Sequence, residues 1–187
     1  MSDSSIETHP MLVLKGTHGT TISAAQDIMQ RKIFQKTEPG RVGTGVYFWR
    51  DNVYAKDLAI CWYDYRVRRG DFKKNEGAII QVEIHVKEDE FLDLENPLYK
   101  DSLGMLAMEH PDIESDDTIN FGAIYNFFVK TLEEKSHKTC KVFQIRIPSP
   151  PKCKSYPTPL LDNPIGYVVR DETCIHIKNM EKKYNDK

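Results

Sequence analysis

Short apolar segments alternate with polar turns along the chain, and the period of the apolar positions changes between two values. Alternating or continuous apolar runs predict strands at 11–17, 43–49, 78–86, 91–94, 141–147, 167–170 and 174–177. Apolar residues three or four positions apart predict helices that begin near 23 and 51 and helices at 98–108 and 119–132. Strands open and close the chain while helices lie between groups of them, which favours an α+β fold over a regular βαβ repeat.

Polar and proline-rich segments mark where these elements begin and end. His18–Thr21 is predicted as a turn, and Ser23 with Gln26 three residues later has the pattern of a helix N-cap. The segment 34–43 contains Pro39 and Gly40 and is predicted as a loop, as is the proline-rich segment 149–164.

The length of 187 residues suits one domain with an insertion. We expect a flexible N-terminal tail at 1–10, a single domain at 11–178 and a charged C-terminal tail at 179–187. Within the domain, the segment from about 96 to 138 has the pattern of a helical insertion.

Composition narrows the classes of partner. The formal net charge of -2 and the pI of about 6.3 argue against a protein held to nucleic acid by bulk charge, although a local basic groove is compatible with them. No apolar run approaches the roughly 20 residues that span a bilayer, so no membrane partner is expected. The first residues are polar and acidic, unlike a secretory signal.

The cysteines and histidines indicate neither a disulfide framework nor a metal site. Cys61, Cys140, Cys153 and Cys174 are scattered without a C-x-x-C pair, so we expect reduced thiols in a cytoplasmic protein. Four of the six histidines lack metal-ligand spacing, namely His85, His110, His137 and His176, and no metal is expected.

The stretch Gly43–Trp49 is the first candidate for chemistry. Gly45 lets the backbone come close to a flat group, and Tyr47 presents an aromatic face just inside the predicted strand. A pocket for a planar ring needs this combination. A glycine-rich turn before a strand is nevertheless more often purely structural.

The second candidate is the sequence His18-Gly19-Thr20 at the end of the first strand. An imidazole, an accessible backbone amide and a hydroxyl can together hold a ribose hydroxyl and a carboxamide. A lone histidine in a turn more often has no such task.

These two stretches, followed by a helix that contains Ala55 and Ala59, resemble the ADP-ribosyltransferases. The resemblance is greatest to the branch that contains diphtheria toxin and the poly(ADP-ribose) polymerases, which carry His, Tyr and Glu on three separate strands. Its strong part covers Leu14–Ala59, and a weaker part covers Gly166–Asp171. The resemblance implies two small β-sheets packed face to face, with flanking and inserted helices and NAD+ in the cleft between the sheets.

The resemblance also implies roles for individual residues. His18 would bind the adenosine ribose of NAD+, while Gly19 and Thr20 would hold the nicotinamide carboxamide. Tyr47 would stack on the nicotinamide ring beside Gly45. The resemblance further implies Arg41 and Lys36 near the pyrophosphate, and Tyr54 or Trp62 as a second stacking aromatic residue.

The chain departs from the family pattern at the catalytic glutamate. Alignment of 167–169 with the last family strand puts Gly166 where that glutamate belongs, and Glu172 follows six residues later. Three interpretations stay open: single transfer without that glutamate, a shifted register in which Glu172 or Asp171 serves, and a domain that binds NAD+ or ADP-ribose without turnover. Loss of the glutamate argues against chain elongation and leaves single transfer open.

The resemblance therefore implies a mono-ADP-ribosyltransferase that uses NAD+ and modifies a macromolecular acceptor, either nucleic acid or protein. Basic residues at 66–74 and Lys152, Lys154 and Tyr156 form one candidate path for nucleic acid, although charge runs are often solvated faces. Family analogy adds the role of a bacterial toxin held by an antitoxin protein, for example in phage defence. The alternatives are a non-catalytic module that binds NAD+ or ADP-ribose and an RNA 2′-phosphotransferase, which shares the fold.

Overall fold

The computed structural model describes residues 9–109 and 120–183, and its fold is α+β, as the sequence predicts. The strands are β1 Met11–Thr21, β2 Thr37–Gly40, β3 Gly43–Arg50, β4 Gly77–Lys87, β5 Phe91–Asp93, β6 Val142–Arg146, β7 Ile165–Val169 and β8 Ile175–Lys182. The helices are α1 Ile22–Arg31, α2 Ala55–Arg68, α3 Pro97–Glu109, α4 Asn120–Ser136 and α5 Thr158–Leu161.

The strands follow one another in the order β5-β6-β7-β3-β1-β4-β8, and β2 pairs with β3. The β5–β6 pair is parallel and the other pairs are antiparallel. Where the family resemblance implies two separate sheets, the described strands form one sheet. Its two halves are joined by only two residue pairs, Gly16–Arg50 and Thr17–Trp49.

Two apolar cores lie against this sheet. One contains buried side chains of β3, β4, β6 and β7 together with Ala25 and Ile28 of α1. The other packs Leu58 and Ala59 of α2 and Phe128 of α4 against strand residues such as Val168. Residues from both halves of the sheet share each core, so burial of apolar area holds the halves together where few backbone hydrogen bonds do.

The predicted turn at His18–Thr21 is wrong, because β1 pairs with β4 residue for residue as far as Thr21–Gly77. Helix α1 begins directly after the strand. Its N-cap is Thr21, whose hydroxyl accepts a hydrogen bond from the Ala24 amide at 3.2 Å, and not the predicted Ser23. Backbone pairing with β4 therefore extends the strand through residues that a local reading treats as a turn.

The prediction of four reduced thiols is wrong for two of them. Cys61 of α2 and Cys153 of the segment after β6 form a disulfide, with their Cα atoms 5.4 Å apart. Cys140 and Cys174 are free. The paired cysteines are separated by 92 residues, and no local motif indicates their proximity.

Other boundaries also differ from the predictions. Strand β8 pairs with β4 as far as Lys182, so 179–182 belong to the sheet, and β2 lies within the predicted loop at 34–43. In the predicted tail at 1–10, Pro10 accepts a backbone hydrogen bond from Glu88. The predictions for 1–8, 110–119 and 184–187 lie outside the described residues. Among the helices of 9–109 and 120–183, none combines the length and apolar character that a bilayer crossing requires.

Candidate active site

The candidate site forms where β1 and β3 separate. The Asp51 amide donates to the Lys15 carbonyl at 2.9 Å, so every second residue of β1 from Lys15 onward directs its backbone groups toward β3. In a continuing ladder, Gly19 would pair with Tyr47. The described pairs end at Thr17–Trp49, and the N-H and C=O of Gly19 therefore point into an open fork.

The imidazole of His18 occupies this fork. Its Nδ1 lies 2.9 Å from the Tyr47 carbonyl oxygen, and because a carbonyl can only accept, Nδ1 carries the proton. Burial lowers the pKa of His18, and the hydrogen bond to the Tyr47 carbonyl opposes that effect only in part. The ring is therefore neutral at pH 7 and its Nε2 is a hydrogen-bond acceptor.

Gly19 brings helix α2 onto the fork. A Cβ at this position would lie 2.1 Å from the Ala59 carbonyl oxygen, which is much closer than any real contact. Only glycine allows α2 to pack this tightly against β1. Gly19 itself is buried, and it contributes to the cavity lining beside His18.

The ring of Tyr47 is held by its own hydroxyl. The hydroxyl donates to the Gly43 carbonyl and accepts from the Val42 amide at 3.3 Å. Burial raises the pKa of Tyr47 to about 12, so the phenol remains protonated. A Cβ on Gly40 would lie 2.0 Å from the hydroxyl oxygen, so Gly40 provides the space in which this contact forms.

These residues line a cavity of about 850 Å³. Its volume lies within the range of small-molecule and cofactor sites, and it is large enough for a dinucleotide. Its lining includes His18, Gly19, Arg41, Tyr47, Trp62, Tyr65, Arg66, Arg69, Glu95, Lys100, Tyr125, Arg146 and Asn163.

One side of the cavity combines arginine side chains with aromatic rings. The guanidinium groups of Arg41 and Arg69 lie 5.8 and 5.7 Å from the centre of the Tyr65 ring. Arg66 lies 5.7 Å from the Trp62 ring. Such stacks suit a ligand that carries both negative charge and flat rings.

The charge of this side is only partly neutralised. Asp71 forms ion pairs with Arg66 at 2.8 Å and with Arg69 at 3.5 Å. The hydrogen bond from Arg69, together with the charges of Arg41 and Arg69, lowers the pKa of Tyr65. In the described part of the chain, Asp71 pairs with two of the three guanidinium groups, which leaves this side of the cavity positive.

A carboxylate, that of Glu95, lies near β5 and β6, at the end of the sheet away from β1. Glu95 follows β5, and its side chain is 13% exposed. It accepts hydrogen bonds from the Arg146 amide and Nε at 2.9 Å each, and Lys100 Nζ lies 2.7 Å away. Burial alone would raise the pKa of Glu95, but Lys100 and Arg146 outweigh it and the pKa is lowered.

Of the predicted site residues, His18, Gly19, Arg41 and Tyr47 line the cavity together. Of the two candidates for a second stacking residue, Trp62 lines it.

The other predicted cofactor contacts lie elsewhere. Thr20 is buried outside the cavity lining. Gly45 lies between β2 and β7, where a Cβ would meet Val168 at 2.7 Å. Tyr54 precedes α2 and packs edge-to-face on Tyr156, with the ring centres 5.4 Å apart. Tyr156 is only 7% exposed, so little of its ring is open to the base that it was predicted to stack on.

The predicted catalytic position Glu172 is not brought to the cavity. It begins the short turn Glu172–Cys174, where its carboxylate accepts from the Phe34 amide at 3.3 Å and pairs with Lys36 at 3.4 Å. Asp171 accepts a hydrogen bond from the Thr173 amide at 3.0 Å, as the cap of the same turn. Both carboxylates stabilise the local chain and lie outside the cavity lining.

Gly166 lies where no side chain fits. A Cβ there would be 2.4 Å from Ile147 Cδ1 and 2.9 Å from the Phe48 carbonyl oxygen. A glutamate such as the resemblance implies would have no space at this position, because β3 and the residue that follows β6 fill it.

Sequence reasoning missed several residues that the cavity brings together, above all Glu95, Lys100, Tyr65 and Arg146. The signal available was slight. Arg146 is a charged residue inside an apolar strand, and Glu95 directly follows a short strand. A charged residue within a predicted strand indicates either an edge strand or a functional site, and Arg146 lines the candidate site.

Comparison with known proteins gives no indication of the function of this chain. No model of a known protein family matches the chain, and no curated protein matches it. Within the described part of the chain, no group of three or more His, Cys, Asp or Glu side chains could hold a metal ion.

Proposed function

We propose that the protein is a mono-ADP-ribosyltransferase that uses NAD+ as its donor. The observation that carries this proposal is the fork between β1 and β3, where a neutral imidazole, a glycine backbone and a fixed tyrosine ring line one cavity. The three groups match the three chemically distinct parts of a nicotinamide nucleoside, which are hydroxyls, a carboxamide and a flat ring.

Each group has a specific task in this proposal. Nε2 of His18 accepts a hydrogen bond from a ribose hydroxyl of NAD+. The backbone N-H and C=O of Gly19 pair with the carboxamide, which offers one acceptor and two donor positions. Tyr47 and Trp62 provide faces for rings, and Arg41 lies where it can pair with the pyrophosphate.

The reaction breaks the bond between nicotinamide and ribose C1′. The electron pair of that bond leaves with the ring nitrogen, so nicotinamide departs neutral and positive charge develops on the ribose. The protein accelerates this step by holding the donor in a reactive conformation and excluding competing geometries. Only one carboxylate, Glu95, is found among the described residues that line the cavity, which suits transfer of a single ADP-ribose.

A nucleic-acid acceptor is favoured by the side of the cavity that carries Arg41, Tyr65, Arg66 and Arg69. Guanidinium groups pair with phosphates, and aromatic rings stack on bases without sequence preference. A protein acceptor is the competing outcome. By analogy with the family that the sequence resembles, we further propose a cytoplasmic bacterial toxin that an antitoxin protein holds inactive, for example in phage defence.

The decisive experiment incubates the protein with NAD+ labelled in its adenylate part. We expect release of nicotinamide, with label on RNA, DNA or protein fractions that mass spectrometry then distinguishes. Tyr47→Ala removes the ring and should abolish turnover, whereas Tyr47→Phe keeps the ring and should retain most of it. Turnover that survives Tyr47→Ala would show that the nicotinamide lies elsewhere.

A non-catalytic module that binds NAD+ or ADP-ribose is the second candidate. It is favoured by the engagement of both Glu95 oxygens and by the lack of space for a side chain at Gly166. Tight binding of NAD+ by calorimetry, without any release of nicotinamide over hours, would establish this candidate and exclude the transferase.

A further inference from the structure

We propose that Glu95 is the catalytic carboxylate of this chain and that it orients the nucleophile that attacks ribose C1′. The inference rests on the proposed transferase function. On β7, a carboxylate at position 166 would collide with Ile147 and with the Phe48 carbonyl. We therefore assign the role of catalytic carboxylate to Glu95, which follows β5.

The hydrogen bonds of Glu95 leave room for one further donor. A carboxylate has about four lone-pair positions. Three are used, by the Arg146 amide, by Arg146 Nε and by Lys100 Nζ. The fourth can accept a hydrogen bond from a hydroxyl in the cavity that Glu95 lines.

The position of Glu95 in the sheet suits the nucleophile rather than the donor. Strand β6 lies next to β7, and Ile145 pairs with Gly166. Glu95 binds the next residue, Arg146, from the outer side of β6. Adjacent strands are about 4.8 Å apart, so Glu95 lies further from His18 and Gly19 on β1 than a side chain on β7 would. The donor groups occupy the β1 end and leave the β6 end for the acceptor.

Arg146 makes this position rigid. Besides holding Glu95, its Nη1 donates to the Asn163 carbonyl at 3.0 Å. Asn163 also lines the cavity and belongs to the segment that leads into β7. The guanidinium therefore joins β6, the chain after β5 and the segment before β7, and the Glu95 carboxylate is oriented before any ligand binds.

With water as the nucleophile, the step is a hydrolysis. The water oxygen forms a bond to C1′ while the bond from C1′ to the nicotinamide nitrogen breaks, and the electron pair leaves with nicotinamide. The water proton passes to the solvent, because the ion pairs with Lys100 and Arg146 keep Glu95 ionised and make it a weak base. The products are ADP-ribose, nicotinamide and one proton.

The test compares two glutamates in the full chain with NAD+ as the only substrate. Glu95→Gln removes the charge inside the cavity. Glu172→Gln is the matched control, since Glu172 also pairs with a lysine but lies outside the cavity lining. Calorimetry gives the Kd for a non-hydrolysable carba analogue of NAD+, and single-turnover release of nicotinamide gives the rate.

We expect Glu95→Gln to lower the rate about 100-fold, as removal of one electrostatic contact to a transition state does. Its Kd for the analogue should stay within about twofold of the original protein, since the donor contacts lie on β1 and β3. Glu172→Gln should leave both values unchanged. If Glu95→Gln unfolds at the assay temperature, Glu95→Asp replaces it, because it keeps the charge but withdraws the carboxylate by about 1.5 Å. Its rate should also fall at constant Kd.

Three results would contradict the inference. An unchanged rate in the Glu95 variants shows that the carboxylate takes no part. A raised Kd with an unchanged rate shows that Glu95 binds the donor instead. An equal loss in Glu172→Gln shows that the effect comes from stability. Failure of the original protein to release nicotinamide, both from NAD+ alone and with RNA, DNA and protein acceptors present, would instead refute the transferase function itself.

Discussion

At the residue scale, the imidazole of His18 replaces a backbone donor. In a continuing ladder the Gly19 amide would bond the Tyr47 carbonyl, but Nδ1 of His18 makes that hydrogen bond at 2.9 Å. The substitution of a side chain for a backbone group lets the strands separate without leaving a buried carbonyl unpaired. It also fixes the tautomer of the ring.

This arrangement predicts a pH dependence of stability. The folded protein lowers the pKa of His18, whereas the unfolded chain keeps a value near 6.5, so the unfolded state binds more protons below that pH. The contribution is fully present above about pH 6.5 and is lost as the pH falls, by at most about 1.4 kcal/mol per pH unit.

Chemical denaturation of the protein and of His18→Gln between pH 8 and pH 5 measures this contribution, with the pH values chosen to span the ordinary range of histidine. The original protein should lose more unfolding free energy than the variant over this range. Taking the difference cancels the contributions of the other histidines. Parallel curves would mean that His18 titrates alike in both states.

Two glycines allow a second prediction about single residues. Gly166→Ala forces a contact with Ile147 and with the backbone of Phe48, so it should lower the unfolding free energy by about 1–3 kcal/mol. Gly104→Ala in α3 meets nothing within 4 Å and should raise it by about 0.5–1 kcal/mol. Urea denaturation of the two variants checks both signs, and equal effects would contradict the packing at Gly166.

At the element scale, the segment between β6 and β7 is attached to helix α2 in two ways. Cys153 is bonded to Cys61 of α2, and Arg68 of α2 donates to the Pro151 carbonyl at 2.6 Å. Helix α2 also provides Trp62 and Arg66 to the cavity. The disulfide therefore joins one wall of the cavity to the segment that ends at β7.

Reduction of this disulfide should lower the unfolding free energy by about 2–4 kcal/mol, because it closes a long loop. Thermal melts with and without a dithiol reductant measure the change. The double variant Cys61→Ala/Cys153→Ala serves as the control, since its melting temperature should not respond to the reductant. Thiol titration of the unfolded, unreduced protein should find only Cys140 and Cys174. A reducing cytoplasm would keep the pair open, so four reactive thiols would favour that compartment.

At the scale of the whole molecule, the charge of the cavity is opposite in sign to the net charge of the protein. The net charge is -2, yet among the described residues that line the cavity there are four arginines and one lysine beside a single glutamate. Because fields are focused in clefts, a protein that is acidic overall can attract an anionic chain to one place.

Binding of a mixed-sequence 20-nucleotide RNA should therefore weaken as the salt concentration rises. This RNA is longer than the roughly 4–16 nucleotides of typical single-strand sites. Arg66→Gln/Arg69→Gln should reduce the slope of log K against log salt by about 1.4, from two lost phosphate contacts. Lys178→Gln is the control, because Lys178 pairs with Glu83 outside the cavity lining. Fluorescence anisotropy at several salt concentrations measures the slopes. An equal slope in all three proteins would favour a protein acceptor.

The order of strands and helices, and with it the α+β class, follows from the sequence because apolar periodicity is a local property. The proximity of His18 and Gly19 to Tyr47 was implied by the family resemblance, and the structure places all three at one cavity. Contacts between distant segments were not. Glu95 meets Arg146 across 51 residues, Cys61 meets Cys153 across 92, and Glu172 meets Phe34 across 138. Which aromatic residue, which carboxylate and which cysteines come together depends on strand register and helix packing, and only the tertiary structure decides those.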